Sequence, residues 1–164
     1  MVRPAVITDL DEAMRVIEAG RAYMRANGNT VQWRRGFPSR DIIADDIASG
    51  RLHLVERKGR ICGVFALCPG VEPTYLHIDG GWHHDGDYAT VHRIASDGTE
   101  KGILHECIAF CETKYPYLRI DTHESNLTMQ KATLKEGFSY CGIVIIGDGT
   151  PRLAYDRLKE RKRP

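Results

Sequence analysis

The sequence predicts an α+β fold with a mixed sheet, because hairpin-forming strands come first and strand–helix–strand units follow. Residues 52–55 and 61–67 are apolar runs on either side of a Lys-Gly turn, a pattern typical of an antiparallel hairpin. Residues 88–95, 103–115 and 118–121 have strand, helix and strand patterns, and two parallel strands require such a crossover. We therefore predict a mostly antiparallel sheet with one central parallel βαβ unit.

Periodicity, capping residues and turns define the other elements in order. Asp9 and Ser39 are candidate N-caps of two early helices, and Asn27 with Gly28 ends the first of them. The remaining predictions are a first strand at 2–6, helices that end near residues 26 and 50, a short strand at 75–78, a helix at 126–136, and a closing hairpin at 138–146 and 152–155.

The composition is that of one average globular domain. The chain has 164 residues, of which 42% are hydrophobic and 27% charged, so it can bury a sizeable core. No repeat or linker divides it, and we predict one domain over 1–157 and a basic C-terminal tail over 158–164. The formal net charge of +1 provides no general attraction for nucleic acid or an anionic membrane, so neither is an expected partner.

Several sequence features indicate a cytoplasmic protein. No run approaches the roughly 18 apolar residues of a membrane span, and Asp9, Asp11 and Glu12 interrupt any N-terminal leader. The five cysteines form no CxxC pair, which favours reduced thiols that fill the core. No metal site is expected, because the His-His-Asp run that begins at His83 is more typical of a solvated loop.

The loop between the central strand and its helix has features of an anion site. Ligands of open sheets bind beyond the carboxyl ends of the strands, where this loop lies. Gly98 and Gly102 allow backbone N–H groups to approach an anion at the positive end of a helix, and Lys101 adds a full charge. A plain structural loop is the other interpretation of two such glycines. The polar start of the next helix, His123 to Asn126, favours a long ligand with phosphates at one end.

The order of these elements resembles the GCN5-related N-acetyltransferase (GNAT) superfamily over essentially the whole chain. The segments that carry the resemblance are 92–96 (His-Arg-Ile-Ala-Ser), 101–103 (Lys-Gly-Ile), 120–126 (Ile-Asp-Thr-His-Glu-Ser-Asn) and 134–142, which contains a Gly-Phe pair. The resemblance implies a GNAT-like acyl-CoA N-acyltransferase fold. It also implies an enzyme that transfers an acetyl group directly from acetyl-CoA to a primary amine of a small molecule or protein. Family relatives are often monomers or dimers, so a monomer or homodimer is expected.

The resemblance further implies which residues hold acetyl-CoA. A strand end would contact the pantetheine arm, the glycine-bearing loop would surround the pyrophosphate, and the start of the next helix would complete the site. The residues implied for these contacts are Ile94, Ala95, Ser96, Gly98, Lys101, Gly102, Ile103, Asn126, Met129 and Gln130.

Two positions depart from the family's pattern. The usual phosphate signature is Gln or Arg, two residues, Gly, one residue, then Gly or Ala, and here Asp97 and Glu100 occupy its first and fourth positions. Because acids repel a pyrophosphate, weaker binding of acetyl-CoA is predicted. Many members carry a tyrosine that protonates the leaving thiolate, and Thr133 stands at that position. Its hydroxyl cannot replace a phenol as an acid.

Amine acetylation needs the loss of a proton, because an alkyl ammonium group has a pKa of about 10.4. His123 is the first candidate for a general base, since it follows a strand end next to the expected cofactor site. His92 is the second candidate, since it lies on the strand beside the expected thioester. Each is also interpretable as a hydrogen-bonded or surface histidine, and positioning of two substrates alone accelerates the reaction.

The sequence leaves other functions open. The chain would be a catalytically inactive acyl-CoA-binding module if Thr133 and the altered loop mark lost catalysis. It would be an interaction domain if coenzyme A no longer binds. The sequence does not identify the acceptor amine, and Trp33, Phe37, Tyr75 and Trp82 are candidates either for lining an acceptor pocket or for packing.

Overall fold

The computed structural model describes residues 1–160, and its main elements are one sheet and helices on both faces. The strands are β1 (Val2–Pro4), β2 (Leu52–Arg57), β3 (Arg60–Pro69), β4 (Asp79–Gly80), β5 (Ala89–Ser96), β6 (Tyr117–Thr122), β7 (Ser139–Ile145) and β8 (Pro151–Leu158). The helices are α1 (Leu10–Ala26), α2 (Arg40–Ala48), α3 (Ile103–Lys114) and α4 (Leu127–Lys135). The strand order in the sheet is β1-β2-β3-β5-β6-β8-β7-β4.

The sheet is mostly antiparallel with one parallel pair, which confirms the predicted α+β class. Within the described chain, β5 and β6 are that pair, and α3 forms the crossover between them. Their register contains only the pairs Ala89–Leu118 and Thr90–Arg119. Beyond these pairs the two strands are not joined, so the sheet opens toward the carboxyl ends of both strands.

A β-bulge lies in the unjoined part of β5. Val64 of β3 pairs with Ala95, whereas Ala66 pairs with His92, so two residues of β5 face a single residue of β3. Arg93, one of the two, has a φ angle of +55°. A bulge leaves an extra residue outside the ladder and turns its backbone groups away from it. The bulge therefore provides backbone groups next to the opening.

Alternating side chains of the sheet build separate cores on its two faces. Leu54 and Val55 are consecutive in β2 and both fully buried, yet they belong to different clusters. Leu54 packs with Ile17 of α1 and Ile43 of α2. Val55 belongs to the cluster that contains Ile108 of α3. The helices thus hold the sheet from both sides, and the opening between β5 and β6 lies between them.

Helix capping matches the predictions in part. Ser39 caps α2, because its Oγ accepts from the amide of Ile42 at 3.3 Å. Asp9 precedes α1 as predicted but makes no capping bond to it. Its carboxylate instead pairs with Arg3 at 2.8 Å and accepts from the amide of Val6. This pairing uses the oxygens that would otherwise cap α1.

The predicted strand at 75–78 is wrong. Pro73–Tyr75 forms a short 3-10 helix, and the nearby strand is the two-residue β4 at Asp79–Gly80, which pairs with β7. Proline at the start of the segment favours a helical turn, since its ring fixes φ near −65°. The strand β8 extends to Leu158, one residue into the predicted tail, and 161–164 lie outside the described residues.

Candidate active site

The opening between β5 and β6 forms a groove with two parts. The wide chamber, of about 1040 Å³, lies against both strand ends and the 31–37 loop. The narrow arm, of about 350 Å³, follows the end of β5 between α1 and α4. The residues that line both parts are Met24, Trp33, Ile94, Asn126 and Met129. The two parts are therefore continuous, and they meet at the bulge.

Close packing of α1 on β5 shapes the narrow arm. A Cβ atom placed on Gly20 would lie 3.0 Å from the Cβ of Ala95, so the helix and the strand approach closely here. On the other side of the arm, the Tyr23 hydroxyl lies 3.2 Å from Oγ1 of Thr128 and links α1 to α4. The arm is a channel bounded by both helices, and it reaches the 97–102 loop.

The 97–102 loop presents open space and free amides at the end of the narrow arm. Gly98 and Gly102 have φ angles of +77° and +76°, in the left-handed region that favours glycine. A Cβ atom on either one would meet nothing within 4 Å. In the part of the chain that the structure describes, the amides of residues 100–104 have no hydrogen-bond partner. These donors lie at the positive end of α3, so the loop can bind an anion.

The two acids of this loop are paired with cations. The side chain of Asp97 is 2% exposed and lies 3.0 and 3.1 Å from two arginine side chains, and Glu100 lies 3.6 Å from an arginine and a lysine. Burial alone would raise the pKa of Asp97, but hydrogen bonds from Thr99 and an arginine lower it below its ordinary value. The cations are Arg15 and Arg60 for Asp97, and Arg57 and Lys58 for Glu100. Each acid thus has two cationic partners within 4 Å, and weaker binding of acetyl-CoA stays a prediction.

A histidine–carboxylate pair lies in the wall of the wide chamber. Nε2 of His92 is 3.2 Å from Oε2 of Glu72, and both residues line the chamber. The hydrogen bond from His92, helped by bonds from Thr74, lowers the pKa of Glu72 to about 2. An ionised carboxylate only accepts hydrogen bonds, so Nε2 carries the shared proton. In the neutral imidazole, Nδ1 is then the nitrogen with the free lone pair.

His123 lies near the groove but is not among the residues that line it. It is 8% exposed, and its Nδ1 accepts a 3.1 Å hydrogen bond from the amide of Ser125. Burial, followed by the charge of Arg152, lowers the pKa of His123. Its carbonyl oxygen accepts from the amide of Asn126, so the residue shapes the turn before α4. The structure places His92 in the chamber wall, and the role of His123 as a base stays a prediction.

Most residues predicted to contact acetyl-CoA line the narrow arm. Those that do are Ile94, Ala95, Ser96, Gly98, Ile103, Asn126 and Met129. Lys101 and Gly102 lie in the loop at its end without lining it. Gln130 instead donates hydrogen bonds to the carbonyl oxygens of His123 and Glu124. The structure thus gathers seven of the ten residues around one channel, and their contacts with the cofactor stay predictions.

Sequence reasoning missed the charged residues of the chamber wall, among them Asp46, Glu72, Arg93, Asp121 and Arg152. Nε of Arg93 lies 2.8 Å from Oδ2 of Asp46. Oδ2 of Asp121 accepts a 2.5 Å hydrogen bond from the hydroxyl of Tyr75. Asp121 had a usable signal, because it lies near the carboxyl end of a strand beside the expected ligand. The others come from loops and strands that meet only through tertiary packing.

The aromatic candidates divide between the chamber and the core. Trp33 and Phe37 line the wide chamber. Tyr75 and Trp82 pack against each other with ring centroids 5.1 Å apart, in a cluster that includes residues of β7 and β8. Thr133 is 1% exposed and lines neither part of the groove, so its hydroxyl is not presented to a ligand there.

His83, Cys141 and Asp156 form a polar cluster on another part of the sheet. Nδ1 of His83 lies 2.8 Å from Oδ1 of Asp156 and 3.3 Å from Sγ of Cys141. The carboxylate also accepts hydrogen bonds from the amide of His83 and the hydroxyl of Tyr117. These bonds fasten the loop that carries His83 to β8, and they account for the close approach of the three side chains.

Comparison with solved structures shows the family. A GNAT-family acetyltransferase from Streptococcus agalactiae is 36% identical, with a TM-score of 0.90, over 98% of this chain and 96% of its own. The chain belongs to the GNAT acetyltransferase family. A GNAT-family acetyltransferase from Listeria monocytogenes shares the fold at 21% identity and a TM-score of 0.70, over 96% of this chain and 94% of its own. No protein-family model and no curated protein matches the sequence.

A further solved structure is similar to this chain over nearly its whole length. A ribosomal-protein-alanine N-acetyltransferase from Brucella melitensis has 19% identity and a TM-score of 0.60, over 96% of this chain and 99% of its own. The predicted resemblance and fold are thus confirmed, and acyl transfer is the reaction class of this GNAT protein. Among the described helices of this GNAT protein, none is long and apolar enough to span a membrane.

Proposed function

We propose that this GNAT protein transfers an acetyl group from acetyl-CoA directly to a primary amine. The observation that carries the proposal is the continuous groove, which joins a glycine-bearing loop at the positive end of α3, a channel along β5 and a chamber with a histidine–carboxylate pair. A long ligand with phosphates at one end and a reactive group at the other matches this sequence of environments.

The pyrophosphate of acetyl-CoA would lie against the amides of the 97–102 loop, where Lys101 adds positive charge. The pantetheine arm would follow the narrow arm along Ile94, Ala95 and Ser96, which line the channel. Asn126 and Met129, which line both parts of the groove, would flank its far end. Acetyl-CoA supplies an acetyl thioester, and that group would lie near Ile94 of the bulge, where the two parts of the groove meet.

His92 would remove the proton that keeps the amine from reacting. Its Nε2 is engaged by Glu72, which leaves Nδ1 able to accept a proton. The amine nitrogen then forms a bond to the acetyl carbon, the carbon–sulfur bond breaks, and coenzyme A leaves with a proton as the free thiol. Backbone amides at the bulge would stabilise the oxygen that becomes negative during this step.

One observation favours the alternative of an acyl-CoA-binding module without catalysis. Thr133 replaces the family's acidic tyrosine and is buried, so no phenol is presented from that position of α4. The leaving thiolate would have to take its proton from water or from the acceptor itself.

Release of free coenzyme A thiol decides between the two functions. We would measure it with a panel of primary amines at saturating acetyl-CoA, and measure acetyl-CoA binding separately by calorimetry. Turnover with at least one amine supports the proposal. Binding of acetyl-CoA without turnover of any amine supports the module, and absence of binding rejects both.

A further inference from the structure

Arg152 is a buried arginine of the chamber wall whose charge the fold leaves without an anion. The residue is 5% exposed and begins β8 with Pro151. Among residues 1–160, its guanidinium forms hydrogen bonds only through Nη1, to Oγ1 of Thr150 at 2.8 Å and to the carbonyl oxygen of Pro151 at 2.9 Å. No carboxylate of these residues forms an ion pair with it. A buried charge without a partner is costly to a fold.

Other buried or half-buried arginines of the described chain have partners that Arg152 lacks. Arg93, in the same chamber wall, lies 2.8 Å from the carboxylate of Asp46. Arg119 lies over the rings of Trp82 and Tyr88, 4.1 and 3.9 Å from their centroids. Burial lowers the pKa of Arg152 in spite of acids elsewhere in the chamber. Of the three buried arginines in the described chain, Arg152 is thus the one whose guanidinium has neither a carboxylate partner nor an aromatic ring over it.

The hydrogen bonds of Nη1 fix which edge of Arg152 is free. Thr150 Oγ1 donates to Oδ1 of Asp148 at 2.5 Å, so its lone pairs are available to accept from Nη1. With Nη1 held on one side, Nε and Nη2 form the free edge. These two N–H groups are parallel and match the two oxygens of a carboxylate.

Arg152 and His92 line the same wide chamber from different strands. The strand order at this point is β5, β6, β8, and Thr122 of β6 pairs with Leu153, the neighbour of Arg152. His92 lies on β5, two residues beyond its last pair with β6. The strands that carry the two side chains are thus two spacings apart, at least about 10 Å. The chamber that both residues line has a volume of about 1040 Å³, which is enough for a molecule of amino-acid size.

We propose that Arg152 binds a carboxylate of the acceptor, so that the substrate class is amino acids or amines that carry a carboxylate. This inference rests on the proposed acetyl transfer and names its acceptor. The amine would lie at His92 and the carboxylate at the Nε–Nη2 edge. The chamber also contains Asp121 and Asp148, which would repel the second charge of a phosphate and thus favour a carboxylate.

Matched pairs of amines test the inference. Free thiol release is measured with glycine, β-alanine and longer amino acids, each paired with its neutral amide. The wild type is expected to have at least about a tenfold higher kcat/KM for the carboxylate member of the best pair, since a hydrogen-bonded charge pair is worth about 1.5–3 kcal/mol. Arg152→Gln should remove this preference by raising KM, Arg152→Lys should restore part of it, and acetyl-CoA binding should not change.

Arg34→Gln is the matched control, because Arg34 also lines the chamber but is exposed. It should retain most of the preference. Equal or lower kcat/KM for carboxylates in the wild type, or full preference in folded Arg152→Gln, overturns the inference. Turnover of neutral amines without that preference overturns this inference alone. If no amine is turned over, calorimetric titration of the coenzyme A-saturated protein with the same pairs decides it, and equal affinities within pairs overturn it.

Discussion

The carboxylate of Glu72 lies 3.2 Å from Nε2 of His92, although the two residues are twenty positions apart and on different elements. Glu72 lies just before the short helix Pro73–Tyr75, and His92 precedes the bulge of β5. The pair fixes the imidazole tautomer at the point where the narrow arm meets the wide chamber. In acetyl transfer, this pair would leave Nδ1 of His92 free to accept the proton of the amine.

Replacement of His92 should impair the chemical step and leave cofactor binding intact. We expect His92→Gln to lower kcat by about 100-fold or more, the range for loss of a general base. The dissociation constant of acetyl-CoA, measured by calorimetry, should stay within a factor of about two. His123→Gln is the control and should lower kcat by less than about tenfold. A larger loss with His123→Gln would move the base to that histidine.

Glu72 should make stability depend on pH in the acid range. Its pKa falls from 4.5 in the unfolded chain to about 2 in the fold, chiefly through the bond from His92. A lowered carboxyl pKa stabilises the fold above pH 4.5, and this contribution is lost as pH falls through that value toward 2. The free energy involved is up to about 3 kcal/mol. Urea unfolding at pH 5.5 and 3 should show a smaller loss for Glu72→Gln than for wild type, and equal losses would contradict the assignment.

Gly98 should be needed for binding of the cofactor as well as for backbone conformation. An alanine in the left-handed region costs roughly 1–2 kcal/mol of stability, and in Gly98→Ala its methyl group would also enter the open space of the loop. We expect a several-fold higher dissociation constant for acetyl-CoA. Gly149→Ala has the same backbone strain, with a φ of +81° and open space, in the β7–β8 turn. A similar change of affinity in both variants would mean that strain alone explains the effect.

Gly63 of β3 should be needed for the close packing of the sheet against the start of α3. A Cβ atom on Gly63 would lie 2.4 Å from Cγ2 of Ile103, the first residue of α3. Gly63→Ala is therefore expected to destabilise the protein by about 1–3 kcal/mol through overpacking. Ile103→Ala removes the obstructing atoms, so the double variant should lose less stability than the sum of the single variants. Additive losses in denaturant unfolding would show that the two residues do not compete for space.

Most of the fold was predictable from sequence because its elements follow from local patterns of apolar residues, glycines and turns along the chain. The βαβ unit follows from two apolar strands around a helix with a glycine-bearing entrance, and the hairpin of β2 and β3 follows from its turn. The prediction of a strand at 75–78 was wrong because Tyr75 and Ile78 are residue types that favour strands, whereas Pro73 begins a helical turn. One or two large apolar residues near a proline do not distinguish the periodicity of a strand from that of a helix.

The site was predictable where it lies on regular elements. His92 and the residues around Ile94 could be found because the strand places them at the opening. Glu72 could not, because its loop has no periodicity and its partner is set by tertiary packing. The pairing of Asp97 with Arg15, 82 positions away, could not be found for the same reason.

The two halves of the sheet are connected between β5 and β6 by two residue pairs only, Ala89–Leu118 and Thr90–Arg119. A ligand bound in the opening would link the two halves of the sheet, because it would contact residues of both halves at once. Amide hydrogen exchange in β6 should then slow when acetyl-CoA binds, even at residues that do not touch it. Binding of acetyl-CoA would thereby increase the stability of the sheet in this acetyltransferase.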